Sequence, residues 1–218
     1  MTKAKNLLRF LKEERKSKLE VDRLSNENIQ VIKKYFTNSK SIFYLDIGAG
    51  RPISQSLTYH LYKKGYRGIT IDPLMENGVL HKILRPKDTF MLKLVGQVPG
   101  TIPFYHLKHY SYSTTLESVA SKLIADGTAK LVSQTFIEQI TLLEIIKKIP
   151  KHGEIFLKID TEGADLAILK SNDYKRFRPN LICVEKWRGS EQAILDFLSS
   201  QGYELFSETK QNLFFVSS

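Results

Sequence analysis

The feature that most constrains this chain is the passage from an apolar run, Ile42-Phe43-Tyr44-Leu45, into Asp46-Ile47-Gly48-Ala49-Gly50. A run of this length closed by two glycines reads as a buried strand meeting a tight turn. Gly48 and Gly50 carry no Cβ, so a ligand can approach the backbone closely at the point where the strand ends.

From Ser41 onward strands and helices alternate. Ser54–Lys64 reads as a helix stopped by Gly65, and Gly68–Asp72 as a second strand halted by Pro73. A helix over Glu76–Leu84 is broken by Arg85-Pro86, and Thr89–Val95 is a third strand. Ile102–Leu107 is a short strand after Gly100. Thr114 with Glu117, and Thr141 with Glu144, have capping-box spacing and predict two helix starts. Glu154–Asp160 and Leu181–Glu185 complete five core strands. Ser190–Ser200 is a helix with Ile194, Phe197 and Leu198 on its buried face, and Tyr203–Phe206 with Leu213–Val216 forms a terminal hairpin. Before Ser41, two apolar stripes (Leu7, Leu8, Leu11; then Ile29, Ile32, Tyr35, Phe36 after Ser25 as N-cap) predict helices. The expected architecture is α/β, a doubly wound parallel sheet with an antiparallel C-terminal hairpin over residues 41–218, preceded by a helical extension over 1–40. Its 218 residues suit one such domain.

In an open parallel sheet, ligands bind beyond the carboxyl ends of the strands. The residues to inspect are therefore Asp46 to Gly50, Asp72 with Pro73, Gly96, Asp160 to Gly163, and Glu185. Asp72 lies 22 residues after Gly50, where a carboxylate can accept both hydroxyl hydrogens of a ribose. A dinucleotide site needs a third glycine three residues after the second, and that position is Ile53. The pattern favours S-adenosylmethionine (SAM) over NAD, with Gly48, Ala49 and Gly50 against the cofactor and Asp46 facing its ammonium group.

A second cluster is Lys158-Ile159-Asp160-Thr161-Glu162-Gly163. Strand alternation puts Lys158 and Asp160 on one face at the ligand edge. A buried lysine needs a partner, so an ion pair of Lys158 with Asp160 or Glu185 is one reading. The other places Asp160 at the reacting centre as a base for an acceptor hydroxyl. The segment Tyr105–Thr115, with His109, Tyr110, Ser111 and Tyr112, offers hydroxyls, imidazole and aromatic faces for a polyhydroxylated acceptor, and His109 is a second candidate base. Glu162 is a third. No histidine spacing resembles a zinc site, so no metal is expected.

These motifs resemble those of the FkbM-type SAM-dependent methyltransferases. The first runs Asp46-Ile47-Gly48-Ala49-Gly50-Arg51-Pro52, followed by Ser56, Thr58, Tyr66, Gly68-Ile69 and Asp72. Arg85-Pro86-Lys87-Asp88, Lys158-Ile159-Asp160-Thr161-Glu162-Gly163-Ala164, Leu169-Lys170-Ser171-Asn172-Asp173, Arg178-Pro179 and Val184-Glu185 continue the match over about residues 41 to 216. Gly50-Arg51 replaces the family's Asn-Asp pair, and Thr161 its usual Val. The resemblance implies a Rossmann-like class I methyltransferase fold and O-methylation of a hydroxyl on a sugar or glycan, a deoxysugar foremost. Asp160, Glu162 and His109 are then the catalytic candidates, and Tyr105, Ser111, Tyr112, Lys158 and Glu185 the acceptor-side ones.

Two rival readings remain. Residues 1–34 hold ten Lys or Arg against five Asp or Glu, half of the net charge of +10. Such an arm suits nucleic acid or an anionic membrane surface, and an RNA methyltransferase could use the same sheet. Against it, the chain has no Asn/Asp-Pro-Pro-aromatic motif for amino methylation. A non-catalytic scaffold for a glycosyltransferase partner is the second rival. The lone Cys183, inside an apolar run, suits a buried thiol and a reducing, cytoplasmic setting, and no apolar stretch is long enough to span a bilayer.

Overall fold

A computed structural model describes residues 2–17, 23–108, 112–149, 153–186 and 189–217. In chain order the elements are α1 (Thr2–Ser17), α2 (Arg23–Tyr35), β1 (Ile42–Ile47), α3 (Tyr59–Lys63), β2 (Arg67–Ile71), α4 (Met75–Leu84), β3 (Thr89–Met91), β4 (Leu94–Val95) and β5 (Gly100–Leu107). There follow α5 (Glu117–Ala125), β6 (Leu131–Ile140), α6 (Leu142–Ile146), β7 (Glu154–Ile159), α7 (Asp165–Lys170), β8 (Leu181–Glu185), α8 (Glu191–Ser200), β9 (Tyr203–Glu208) and β10 (Asn212–Ser217).

The main sheet has seven strands in the order β3-β2-β1-β7-β8-β10-β9. The first five run parallel, and β10 pairs antiparallel with both β8 and β9. This is the expected doubly wound parallel sheet, with the antiparallel hairpin at one edge. Strand alternation builds a core on each face. Leu45, Ile47, Leu157, Ile159, Ile182 and Val184 pack under α6, α7 and α8, whereas Tyr44, Phe156, Leu181, Cys183 and Phe214 pack against Ile32 and Phe36 at α2 and Leu61 of α3. Cys183 is fully buried. Among the described residues, no helix is long and apolar enough to cross a membrane.

Several expected elements differ. The third strand divides, because only Thr89–Met91 stays with the main sheet while Leu94–Val95 joins a second sheet, β4-β6-β5. Residues 131–140, for which the apolar pattern predicts no element, form β6 and pair along the whole of β5. Their alternation is weak because β6 is largely exposed. The capping box forms at Thr141 and Glu144, whose carboxylate accepts the Thr141 N–H at 2.8 Å. At Thr114 it does not: α5 starts at Glu117 after Leu116, and Thr114 Oγ1 accepts the Leu116 N–H at 3.2 Å. Likewise α2 starts at Arg23, ahead of Ser25.

The largest departure is at residues 51–58. A helix from Ser54 is expected, yet only Tyr59–Lys63 is helical. Side chains from elsewhere take over the polar groups of this segment. Arg85, 1% exposed, donates to the Pro52 carbonyl (3.3 Å), Ser56 Oγ (3.1 Å) and Thr58 Oγ1 (3.1 Å). Its charge is balanced by Asp88 at 2.7 Å, and Asp88 also accepts the Tyr44 hydroxyl (2.6 Å) and the Gly68 N–H (3.1 Å). The guanidinium lies over the Tyr44 and Tyr62 rings, with 5.4 and 5.5 Å to the centroids. Removing one member of a buried, hydrogen-bonded pair leaves the other charge unpaired. Arg85→Leu is therefore expected to lower stability by about 3–5 kcal/mol, seen as a lower urea midpoint. Arg85→Lys should restore little of it, because a single ammonium cannot reproduce the planar fork.

Candidate functional site

A pocket opens at the carboxyl ends of β1, β2 and β7. Its wall includes Gly48, Ala49, Gly50, Asp72, Pro73, Lys158, Asp160 and Glu162, eight residues that the sequence singles out. The wall is completed on one side by Arg51, Ser54 and Gln55, and on the other by Lys93, Phe104, Thr114 and Thr115.

The glycine turn is tight for a reason visible in the backbone. Gly48 has φ +70° and Gly50 φ +57°. A Cβ on Gly48 would lie 1.7 Å from the Asp160 carbonyl oxygen, so the turn rests directly on the loop after β7. Among the described residues, two that are not glycine also adopt positive φ, Gln55 (60°) and Glu162 (56°), and both line the pocket. Left-handed conformations cost an L-residue about 1–2 kcal/mol each, and such strain gathers at functional sites. His81 supports the turn from below. Its Nε2 donates to the Gly50 carbonyl (3.1 Å), and its Nδ1 accepts from the Thr70 hydroxyl (3.2 Å). Burial, then the nearby Arg85 charge, lowers its pKa to about 4, so the ring is neutral and this tautomer holds.

Asp46 and Lys158 are register partners on β1 and β7. Lys158 is buried, with its ammonium 3.3 Å from Asp46 Oδ1, 3.2 Å from Asp160 Oδ2 and 2.9 Å from the Gly48 carbonyl, to which it donates. Burial opposes its charge, but the Asp160 and Asp46 carboxylates outweigh that and raise its pKa. Of the two ion pairs expected for Lys158, the one with Asp160 forms, and Asp46 takes a place beside it. Asp46 is 1% exposed, lies off the pocket wall and accepts the Thr58 hydroxyl at 2.6 Å.

Asp160, Glu162 and Glu185 bring one carboxylate oxygen each within 4.8 Å of one another. Burial first, then the charges of Asp160, Glu162 and Asp165, pushes Glu185 well above the usual carboxylate range, so it holds a proton at neutral pH. Asp165 closes the loop after β7 by accepting the N–H groups of Thr161 (3.0 Å) and Gly163 (3.2 Å).

The remaining expected residues lie apart from the wall. Gly96 backs onto the Gln139 side chain, where a Cβ would lie 2.3 Å away. Tyr105 is buried and pairs through its backbone with Thr114. Tyr112 is 36% exposed, and Glu185 stands at the end of β8 behind Asp160. His109 and Ser111 lie outside the described residues. Arg51, Gln55, His81, Asn77 and Asp165 carry no strand-end signal. Of these, only Asp165 was open to sequence reading, as an acid two residues after a glycine turn.

A family model for the methyltransferase FkbM domain matches residues 46–205. No curated protein matches the chain. Among solved structures, the chain is similar to a Pyrococcus horikoshii protein provisionally described as an RNA methyltransferase, at 9% identity over 88% of this chain and 83% of that one, with a TM-score of 0.45. It is also similar to a precorrin-6y C5,15-methyltransferase from Geobacter metallireducens, at 11% identity over 91% and 92% of the two chains, with a TM-score of 0.47.

Asp72 is the most heavily used acid on the wall. Its Oδ1 accepts the Leu74 N–H and the Asn77 amide, both at 2.9 Å, and its Oδ2 accepts the Gly50 N–H at 3.0 Å. Burial nevertheless dominates these bonds and raises its pKa from 3.8 to about 6. The folded chain thus binds this proton more tightly than the unfolded chain, and the associated stability is present below pH 4 and lost as pH rises through 6. Relative to Asp72→Asn, the wild type should lose up to about 3 kcal/mol between pH 4 and 7. Paired urea titrations across that range measure the difference, and a gap independent of pH refutes the assignment.

Proposed function

Since the chain belongs to the FkbM methyltransferase family, we propose that it is a SAM-dependent O-methyltransferase acting on a hydroxyl of a sugar or glycan, a deoxysugar foremost. One observation carries this reading: the glycine turn, Asp72 and Asp160 converge on a single pocket at the strand ends.

The wall fits SAM chemically. The Gly48–Gly50 backbone is open to close approach. Asp72 Oδ2 has one donor among the described residues, which leaves acceptor capacity for ribose hydroxyls. Ile53 is buried where a pyrophosphate-binding loop would need glycine. Thr161 lines the pocket, and its hydroxyl is buried without a hydrogen-bond partner among the described residues. Bound SAM supplies an electrophilic methyl group. The protein's part is to place an acceptor oxygen in line with it and to take the acceptor's proton. Lys158 holds Asp160 Oδ2 at 3.2 Å, which orients the carboxyl group that would receive that proton. Phe104 and the hydroxyls of Thr114 and Thr115 offer an aromatic face and hydrogen-bonding partners to a polyhydroxylated acceptor.

Incubation with methyl-labelled SAM and a panel of sugars, glycans, RNAs and small alcohols, followed by product mass analysis, tests the reading. Label on a sugar hydroxyl is expected, and label on RNA alone would replace the acceptor. Asp160→Asn should bind SAM normally while turnover falls by about 100-fold or more. Full turnover in that variant removes Asp160 as the base. Because ribose hydroxyls favour the ionised acid, SAM affinity should weaken as pH falls below about 6 in the wild type and stay flat in Asp72→Asn.

A further inference from the structure

The strongest unexplained feature is a charged residue buried on an otherwise solvated helix. In α1, Lys12, Glu13, Arg15 and Lys16 are exposed, whereas Glu14 is 0% exposed. A buried carboxylate persists only where hydrogen bonds replace its lost water. Here Glu14 Oε2 accepts the backbone N–H of Ile53 at 2.8 Å and of Ser54 at 2.9 Å. These amides, 39 and 40 residues downstream, belong to the irregular segment that forms one wall of the pocket.

A second set of contacts ties α1 to the same segment. Arg51 Nη1 lies 2.8 Å from Glu13 Oε2 and 3.6 Å from Glu14 Oε1, and its guanidinium sits 4.6 Å from the Phe10 ring centroid. Arg51, Ser54 and Gln55 all line the pocket, and Gln55 is held at φ 60°. Without Glu14, two amides beside a strained residue lose their acceptor, and the segment has no regular element of its own to stabilise it.

We propose that Glu14 is a positioning residue of the cofactor site: from α1, outside the methyltransferase sheet, it holds residues 51–55 in the shape that binds cofactor. This rests on the reading of the pocket as a SAM site. The helix is thus a strap across the glycine turn, and its docking and cofactor binding stabilise one another through a shared loop.

The test is calorimetric titration of SAM into the full chain, as wild type, Glu14→Ala, Glu14→Gln and Glu14→Asp, well below each variant's unfolding temperature. Amide hydrogen exchange of residues 51–55 is followed without cofactor. Glu14→Ala is expected to weaken SAM binding by about tenfold or more, to raise exchange at 51–55 and to leave the KM for the acceptor unchanged. Glu14→Gln keeps an oxygen that can accept both N–H groups and should recover most of the affinity. A folded Glu14→Ala that binds SAM within about twofold of wild type overturns the proposal, as does an equal rise in the acceptor's KM. Should Glu14→Ala not fold, Glu14→Asp decides, because its carboxylate is one methylene short of the two N–H groups: about threefold or more weaker SAM binding with faster exchange at 51–55 supports the role, and no change in either overturns it. A wild type that binds no SAM defeats the cofactor reading and this role together, and faster exchange in the variant then marks Glu14 as a structural contact only.

Discussion

The structure depends on a line of alternating charge that begins at Asp88 and ends at Asp160. Asp88 pairs with Arg85, and Arg85 donates to Thr58. Thr58 in turn donates to Asp46, and Asp46 and Asp160 share Lys158. Every side chain before Asp160 is buried; Lys158 and Asp160 both line the pocket, and Asp160 is the more open, with a third of its side chain exposed. In a low-dielectric interior such a chain is tolerable only when each charge meets its opposite. Its geometry therefore decides which side chain stands most open at the pocket, and that side chain is Asp160.

The same line explains why the strand ends hold their shape. Lys158 donates to the Gly48 carbonyl, while Gly48 rests on the Asp160 carbonyl so closely that no Cβ fits between them. The glycine turn and the loop carrying Asp160 are thus a single unit, with these two parts of the pocket wall fixed to each other. Glu185 adds to this without adding charge. Held protonated by burial and by its acidic neighbours, it lets three carboxyl groups stand together with less repulsion among them.

Much of this was legible in the sequence wherever a residue's own neighbours dictate its conformation. Four of the five parallel strands, β1, β2, β7 and β8, announce themselves as apolar runs ended by glycine, proline or acid, and the strand-end rule then points to Gly48, Asp72 and Asp160 without any further input. What stayed hidden depends on partners distant in sequence. Ser54–Lys64 has a helix-compatible composition, but its first residues are held by partners distant in sequence, Arg85 at the Ser56 hydroxyl and Glu14 at the Ser54 N–H. β6 has too little burial to show alternation, because most of its side chains face solvent. Asp46 illustrates the limit at the site itself: its position at a strand end is readable, but its engagement by Thr58 and Lys158 instead of the pocket is a matter of packing.

The replacement of the family's Asn-Asp pair by Gly50-Arg51 acquires a physical sense from these contacts. Gly50 adopts φ +57°, donates its N–H to Asp72 and gives its carbonyl to His81, so its backbone makes the connections of the turn without a side chain. Arg51 turns outward to Phe10, Glu13 and Glu14. A basic residue at this point invites an acidic partner, and the partner stands on a helix that precedes the sheet. The segment that follows the turn is in this way held by α1. The helical extension, whose net charge alone suggests only a solvated or partner-binding arm, is thereby tied to the pocket wall.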